Sequence, residues 1–367
     1  MIEATMVFLS VYVIFVGGIA LVGFLLNSEK IKKADKSQLI CADDVTVLIP
    51  FRDEEERISV LLDSILKLDK YPKEIIFIDD HSTDAGSDLI AEKLTEIPYQ
   101  ILNSPEDQSG KKRALRHATS ECTSRYILTW DADVYFESDY FINLEKLPDA
   151  DMYLLPAVLK AESSMEYLYE IDVVLANALN TGLAGLTRPI MASGANFFYN
   201  REVFNEVDDL DSHNHMASGD DTYLLRDFRN NDKDVRVATG IDCAVFTETP
   251  RTFREFIDQR LRWVGKTTDI KDNLGTFIAM SQFILAITFF GLLGVSVYLG
   301  EWKMFSVLFI GKVIADLLLF FPFFLKIRRI LTWSLIPIYE ILFPFYSLLL
   351  FILMFTYSPT WKGRRIK

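Results

Sequence analysis

Glu74-Ile-Ile-Phe-Ile-Asp-Asp80 and Tyr126-Ile-Leu-Thr-Trp-Asp-Ala-Asp133 decide how this chain folds. Each is a short run of β-branched, aromatic and leucine side chains that stops at paired carboxylates. A run that short, closed by acidic turn residues, reads as a buried strand, here over Glu74–Asp79 and Tyr126–Trp130. Val45–Pro50 is a third run of this kind, and Tyr99–Leu102, Asp151–Pro156 and Val235–Ala238 read as further strands. Between them fall helical patterns over Glu54–Leu68, Ser82–Leu94 and Lys111–Thr119, with Ser82 or Thr83 as the N-cap of the second. Strands alternating with helices predict an α/β fold whose mostly parallel sheet is covered on both faces. Ligands of such sheets bind at the carboxyl ends of the strands. Asp79-Asp80 and Asp131-Ala-Asp133 fall there.

Outward from this middle region the chain turns apolar. Half of its 367 residues are hydrophobic, 28 of them Phe, and the mean hydropathy is +0.18. That excludes an ordinary soluble enzyme. Met6–Leu26 is an uncharged run long enough to cross a bilayer core of about 30 Å as a helix. Glu3 precedes it and Lys30, Lys32, Lys33 and Lys36 follow, the reverse of a cleaved signal peptide. The positive-inside bias predicts a retained anchor whose C-terminal side faces the cytoplasm. Leu274–Leu299, Met304–Leu325 and Leu331–Tyr357 are candidate spans. Basic clusters at Lys326, Arg328, Arg329 and at Lys362, Arg364, Arg365, Lys367 both call for the cytoplasmic side, which one helix between them does not allow. Pro337, Glu340 and Pro344 in that interval favour a broken, re-entrant or interfacial stretch. The expected organisation is an anchor over 1–28, a sheet domain over 40–250, an interfacial amphipathic segment over 251–272 and membrane helices over 273–367.

The formal net charge is -13, from 38 basic and 51 acidic residues. From residue 301 onward nine basic residues face three acidic ones, so the preceding part carries about -19. A nucleic-acid binder has the opposite sign, and the acidic balance reads as solubility. Three cysteines build no disulfide framework and have no zinc-ligand spacing. They read as buried small residues or inert surface thiols.

The carboxylates carry the chemistry. Asp131 and Asp133, one residue apart, can reach one small volume. A hard divalent cation such as Mg²⁺ or Mn²⁺ takes oxygen ligands and bridges carboxylates to phosphates. His213 and His215 lie in a polar loop and are weaker candidates for touching a ligand.

Six segments, in order, resemble the membrane-anchored family 2 glycosyltransferases, whose catalytic domain has the GT-A nucleotide-sugar-binding fold. Val45-Thr-Val-Leu-Ile-Pro-Phe-Arg-Asp-Glu-Glu55 is similar to that family's opening strand and loop. Phe77-Ile-Asp-Asp-His-Ser-Thr-Asp84 resembles its second strand, where an aspartate contacts the nucleoside. Gly110-Lys-Lys-Arg-Ala-Leu115 resembles its Gly-Lys-x-x-Ala-Leu helix start, and Trp130-Asp-Ala-Asp133 its metal-binding Asp-x-Asp. Ser218-Gly-Asp-Asp-Thr222 resembles the segment with the catalytic base, and Gln259-Arg-Leu-Arg-Trp263 the Gln-x-x-Arg-Trp signature. The departure is Asp220, where the family more often has Glu; Asp221 keeps the base position.

The resemblance implies a Rossmann-like cytoplasmic domain with transmembrane helices at both ends. It implies nucleotide-sugar contacts from Pro50, Phe51, Arg52, Glu54, Asp79, Asp80, Lys111 and Asp131, and metal binding by Asp131 and Asp133. Catalytic roles fall to Asp221, Asp220, Arg262, Trp263 and Gln259. Departure of a nucleoside diphosphate leaves negative charge, which the cation, Lys111 and Arg262 would offset. The acceptor hydroxyl must lose a proton as it attacks the anomeric carbon, and Asp221 is the base within reach. Trp263 offers a flat face to a sugar or lipid-borne acceptor, or anchors at the membrane interface. Arg260 reads as a surface or lipid-headgroup contact. Gly194-Ala-Asn-Phe-Phe198 resembles the loop at the acceptor end of the pocket, with ordinary strand packing as its competing reading, and the helical stretch Ser163–Asn180 rests on membrane or core.

The expected function is inverting, metal-dependent transfer from a nucleotide sugar, by default a UDP-sugar, to a lipid or lipid-linked acceptor. It would act as a multi-pass protein of the inner or cell membrane, with the catalytic domain in the cytoplasm. The late spans offer few polar groups to line a conduit, Lys312, Asp316 and Glu340 being the exceptions, which disfavours autonomous export of a polymer. A polysaccharide synthase acting with partners is the alternative. A transporter component that only senses nucleotide sugar is the rival from another class.

Overall fold

The computed structural model describes residues 2–105, 110–209, 220–270, 272–361 and 364–365. The N-terminal helix comprises α1 (Ile2–Gly17), a π-helical stretch (Gly18–Gly23) and α2 (Phe24–Lys33). Then follow β1 (Val45–Phe51), α3 (Ile58–Ile65), β2 (Glu74–Asp79), α4 (Gly86–Lys93), β3 (Gln100–Asn103), α5 (Lys111–Glu121) and β4 (Tyr126–Trp130). Next come β5 (Val134–Tyr135), α6 (Tyr140–Leu144), β6 (Met152–Leu154), β7 (Ala157–Lys160), α7 (Ser164–Leu186) and β8 (Asn196–Asn200). The remaining elements are α8 (Arg201–Val207), α9 (Asp220–Asn230), β9 (Val235–Val237), β10 (Val245–Glu248) and α10 (Phe253–Ile270). Four helices follow, α11 (Asn273–Tyr298), α12 (Trp302–Lys326), α13 (Ile330–Ser334) and α14 (Ile336–Thr356), and two short strands, β11 (Thr360–Trp361) and β12 (Arg364–Arg365), come after them.

Two compact units result, one from Ser28–Lys160 with Met191–Glu248, the other from Met1–Asn27, Ala161–Ile190 and Thr249–Lys367. The first holds a seven-stranded sheet in the order β3-β2-β1-β4-β8-β6-β9. Strand β1 pairs in parallel with β2 and β4, β2 with β3, and β6 with β9; β8 runs antiparallel to β4 and β6. The mixed α/β fold with a mostly parallel sheet is therefore as the strand runs predict. Every residue of β1 and β4 is buried, the mark of strands covered on both faces. Val45, Val47 and Ile49 share a core with Ile58, Leu61, Leu62 and Ile65 of α3 and with Trp130. From β1 the chain winds outward through β2 to β3, then returns to β4 on the other side of β1. That reversal opens a crevice at the strands' carboxyl ends.

Helix starts differ from expectation. Glu54 does not begin α3; its carbonyl accepts from Arg57 and Ile58 in a turn. Ser82 and Thr83 do not cap α4, which starts at Gly86; their polar groups bond to Asp79 and Asp53 instead. The sheet domain expected over 40–250 is interrupted, since Ala161–Ile190, with α7, groups with the second unit.

Among the described residues Ile2–Lys33, Asn273–Tyr298, Trp302–Lys326 and Ile336–Thr356 are long and apolar enough to cross a membrane. The stretch after Arg329 is broken at Leu335, between α13 and α14. Helix α7 meets the π-helical stretch backbone to backbone. A Cβ on Gly182 would overlap the carbonyl oxygen of Ile19, and one on Gly185 that of Gly23.

Candidate active site

Loops at the carboxyl ends of β1 and β2 clasp each other. Asp53 Oδ1 accepts from Thr83 N at 2.8 Å and Thr83 Oγ1 at 3.1 Å, while Ser82 Oγ accepts from Asp53 N at 3.2 Å. Asp84 Oδ2 accepts from Glu55 N at 2.8 Å, and Glu55 Oε2 from Ala85 N at 3.2 Å. Asp53 and His81 both have positive φ, a local cost of about 1–3 kcal/mol that the reciprocal bonds offset. These loops hold the expected nucleotide-sugar residues. Pro50 and Phe51 end β1, with Phe51 edge-on to Phe77. Asp79 accepts from Ser82 N at 2.8 Å and Ser87 Oγ at 3.3 Å, so it holds its own loop. Asp80 is buried; its Oδ1 accepts from Gly110 N at 2.9 Å and its Oδ2 lies 3.8 Å from Arg52.

Gly110 has φ +116, a backbone state that side-chain-bearing residues rarely adopt. It launches α5 with Lys111 in the first turn. Lys111 Nζ forms an ion pair with Asp131 and lies 3.5 Å from the carbonyl oxygen of Gly194. That carbonyl also accepts from Thr129 Oγ1 at 3.2 Å. On its other side, Gly194 N donates to Oδ2 of the buried Asp221 at 2.9 Å. Asp221 Oδ1 accepts from Thr222 N and Oγ1, at 2.7 and 3.0 Å. A continuous path of contacts thus runs from Asp80 through Gly110 and Lys111 to Asp131, and through Gly194 to Asp221. Three carboxylates from separate stretches of sequence are linked through one lysine and two glycines.

Asp133 stands at the start of the turn into β5. Its carboxyl is pushed up to about 6 by burial first, then by the charges of Asp131 and Glu54, with Arg57 opposing. Arg57 lies 3.6 Å from Asp133 and 2.7 Å from the buried Glu54. Among the described residues no group of three or more His, Cys, Asp or Glu is placed to hold an ion. Two adjacent carboxylates still suit a cation that takes its remaining ligands from phosphate and water. Arg57, Thr129 and Asp53 carry positions in this site that the sequence reading passed over. Asp53 and Thr129 lie inside the segments quoted above, and Arg57 falls three residues after Glu54.

The side chain of Asp220 lies outside the described residues, as do His213 and His215. Gln259, Arg262 and Trp263 lie on α10 in the helical unit. Burial pulls the Arg262 guanidinium below its ordinary value, with Asp258 opposing; Trp263 is 38% exposed. Arg260 is not a surface residue: it is 4% exposed, with Nε 2.5 Å from Asp172. An uncharged environment drives a guanidinium to pair with a carboxylate. The cysteines are free; burial raises Cys122 to about 11 and Cys243 to about 12, so neither is a nucleophile at neutral pH.

Residues 46–207 match the family model described as Glycosyl transferase family 2. The chain is 28% identical over 108 residues to a glycosyltransferase of Streptococcus pneumoniae, covering 29% of this chain and 15% of that protein. It is 32% identical over 136 residues to the poly-beta-1,6-N-acetyl-D-glucosamine synthase of Staphylococcus aureus, covering 36% of this chain and 32% of that protein. The chain thus spans at most about a third of the length of these curated relatives. A mannosyltransferase from Pyrobaculum calidifontis, solved in complex with GDP-Man and Mn2+, superposes with a TM-score of 0.59 at 17% identity, over 95% of this chain and 99% of that one. That likeness establishes the fold.

Proposed function

We propose that this chain, whose residues 46–207 match the Glycosyl transferase family 2 model, is a membrane-bound enzyme of that family. It transfers a sugar from a nucleoside diphosphate to a lipid or lipid-linked acceptor at the cytoplasmic face, with inversion at the anomeric carbon. The observation that carries this reading is the path of contacts joining Asp80, Lys111, Asp131 and Asp221 at the carboxyl ends of β1, β2 and β4. A bare sensor of nucleotide sugars needs no buried base beside its cation ligands.

Asp131 and Asp133 are the residues to hold Mg²⁺ or Mn²⁺, which when bound neutralises charge on the diphosphate. Lys111, already beside Asp131, stabilises the leaving group as its bond to the sugar breaks. Asp221 takes the proton of the attacking hydroxyl as the new glycosidic bond forms. Its bonds to Gly194 N and to Thr222 fix the carboxylate plane. Gln259, Arg262 and Trp263 are assigned to the acceptor and diphosphate by the signature they share with the family. UDP is the default carrier from the family resemblance, and GDP is the one bound to the superposing mannosyltransferase.

The test is nucleoside diphosphate release by the protein in nanodiscs. UDP-glucose, UDP-N-acetylglucosamine and GDP-mannose would each be offered with Mn²⁺ and vesicles of a total membrane lipid extract. Release that needs both cation and lipid, with an organic-soluble product, is expected; release from none of the donors sinks the reading. Similarity to poly-beta-1,6-N-acetyl-D-glucosamine synthases over 136 residues supports a second reading, repeated transfer onto a growing glycan. Long chains made by the purified protein would replace single transfer with that one.

A further inference from the structure

Arg260 is the residue of the Gln-x-x-Arg-Trp segment to which the signature gives no role, yet it is the most enclosed of its charged groups. On α10, Phe256, Arg260 and Trp263 follow one another at helical i, i+4 and i, i+3 spacing, which stacks them along one stripe. The guanidinium carbon lies 4.8 Å from the Phe256 ring centre and 4.4 Å from that of Trp263. Both are within reach of a cation–π attraction.

The other end of this guanidinium is held from two other helices. Asp172 of α7 forms an ion pair with Arg260, its Oδ2 lying 2.5 Å from a buried Nε that makes no hydrogen bond, and its Oδ1 accepts from the Tyr339 hydroxyl of α14 at 2.5 Å. Arg260 Nη2 donates to the Tyr169 carbonyl at 3.4 Å. Tyr169 stacks on Phe256 at 4.3 Å and 17°, and Phe256 on Tyr346 of α14 at 5.3 Å. The guanidinium is therefore paired to α7, whose carboxylate is in turn bonded to α14, and it lies over the indole.

We propose that Arg260 is a positioning residue for Trp263: its ion pair with Asp172, itself fixed by Tyr339, sets the orientation of the indole to which the acceptor binds. The orientation itself stands on these contacts; its use by the acceptor rests on the function proposed above. Lysine in place of Arg260 keeps the charge but has neither the planar fork nor the stacking surface. A charge-only role and an orienting role therefore separate at Arg260→Lys.

The test uses the full-length protein in nanodiscs with its five tryptophans replaced by 5-fluorotryptophan. Fluorine-19 resonances are recorded, and the Trp263 line is assigned by its loss in Trp263→Phe. Arg260→Lys and Asp172→Asn are expected to shift and split the Trp263 line while leaving the other four in place. Tyr339→Phe, the mildest change and the control against misfolding, is expected to shift the line the same way by less. An unchanged Trp263 line in Arg260→Lys and Tyr339→Phe overturns the inference, as does equal movement of all five lines. In the release assay with the lipid-extract vesicles, Arg260→Lys is expected to raise the KM for lipid about tenfold and leave the donor KM unchanged, about 1.4 kcal/mol of lost orientation. If the line moves but Trp263→Phe leaves lipid-dependent release unaltered, the packing inference stands and the acceptor role of Trp263 falls.

Discussion

Gly194 gives both of its backbone groups to the site: its N–H to Asp221 Oδ2 at 2.9 Å and its carbonyl to Lys111 Nζ at 3.5 Å. One peptide segment entering β8 therefore fixes the distance between the proposed base and the cation beside Asp131. Asp221→Asn keeps the size of the side chain and removes its ability to take a proton. Transfer should fall by about 10²–10⁴ while nucleotide affinity stays within about twofold of wild type, a change below 0.5 kcal/mol. Single-turnover transfer and equilibrium titration with nucleoside diphosphate measure the two. Unchanged turnover removes Asp221 as the base.

Asp133 makes cation binding depend on pH. Its folded-state value, raised to about 6, lies above the ordinary carboxylate value near 3.9, so the fold holds the proton more tightly than the unfolded chain does. Its contribution to stability without cation is fully present below about pH 4 and is lost as pH rises through about 6. A cation needs the ionised form, so affinity for Mn²⁺ should climb through that window and level off above it. Calorimetric titration at pH 5.5 should show proton release that is absent at pH 7.5. Asp133→Ala should abolish both the proton release and the metal-dependent part of nucleotide affinity.

Lys111 separates binding from folding. Its pair with Asp131 is partly exposed, with side chains 24% and 39% accessible, and such a pair is worth at most about 1 kcal/mol to stability. Lys111→Met should thus leave thermal unfolding almost unchanged. A charged hydrogen bond to a diphosphate is worth about 1.5–3 kcal/mol, so nucleotide-sugar affinity should drop by one to two orders of magnitude. A variant that unfolds readily but binds normally would show that Lys111 is a structural partner of Asp131.

How much of this was readable in the chain follows from the range of the interactions. Glu74–Asp79 and Tyr126–Trp130 emerge with the bounds read from sequence, because hydrophobic run length and turn residues are local signals. The cap at Ser82 or Thr83 was misread because its competitor, Asp53, lies 30 residues away. Arg260 looked superficial for the same reason: its partner Asp172 is on another helix, and an arginine in a mixed basic and apolar segment carries no mark of a distant carboxylate. The excursion of α7 into the helical unit depends on Gly182 and Gly185 meeting Ile19 and Gly23. Small residues inside a helix look alike whether they face lipid, water or another backbone.

That crossing makes its own prediction. A methyl on Gly182 would sit 2.7 Å from the carbonyl carbon of Ile19 as well as overlapping its oxygen, and backbone cannot swing aside as a side chain does. Gly182→Ala should therefore destabilise the helical unit by about 1–3 kcal/mol, seen as a lower unfolding temperature in detergent. Gly291→Ala, with nothing within 4 Å of its Cβ, should not destabilise it.

Lys312 supplies the last test. It is buried with Asp316 at 2.8 Å and in contact with Glu340, which ties α12 to α14, and the Tyr12 hydroxyl of α1 donates to Asp316 at 2.5 Å. The ammonium also lies over the rings of Tyr12 and Phe289, at 4.5 and 5.2 Å. Among apolar helices, removing one partner of such a network costs more than the network itself contributes, because the remaining charge is left without compensation. Lys312→Met strands two carboxylates and should cost about 3–5 kcal/mol. Glu340→Gln leaves Lys312 paired with Asp316 and keeps an acceptor in place, so its cost should stay near that of one hydrogen bond, about 1 kcal/mol. Unfolding of the two variants in mixed micelles gives the ranking. Equal costs would mean that Glu340, not Asp316, is the counter-ion on which Lys312 depends.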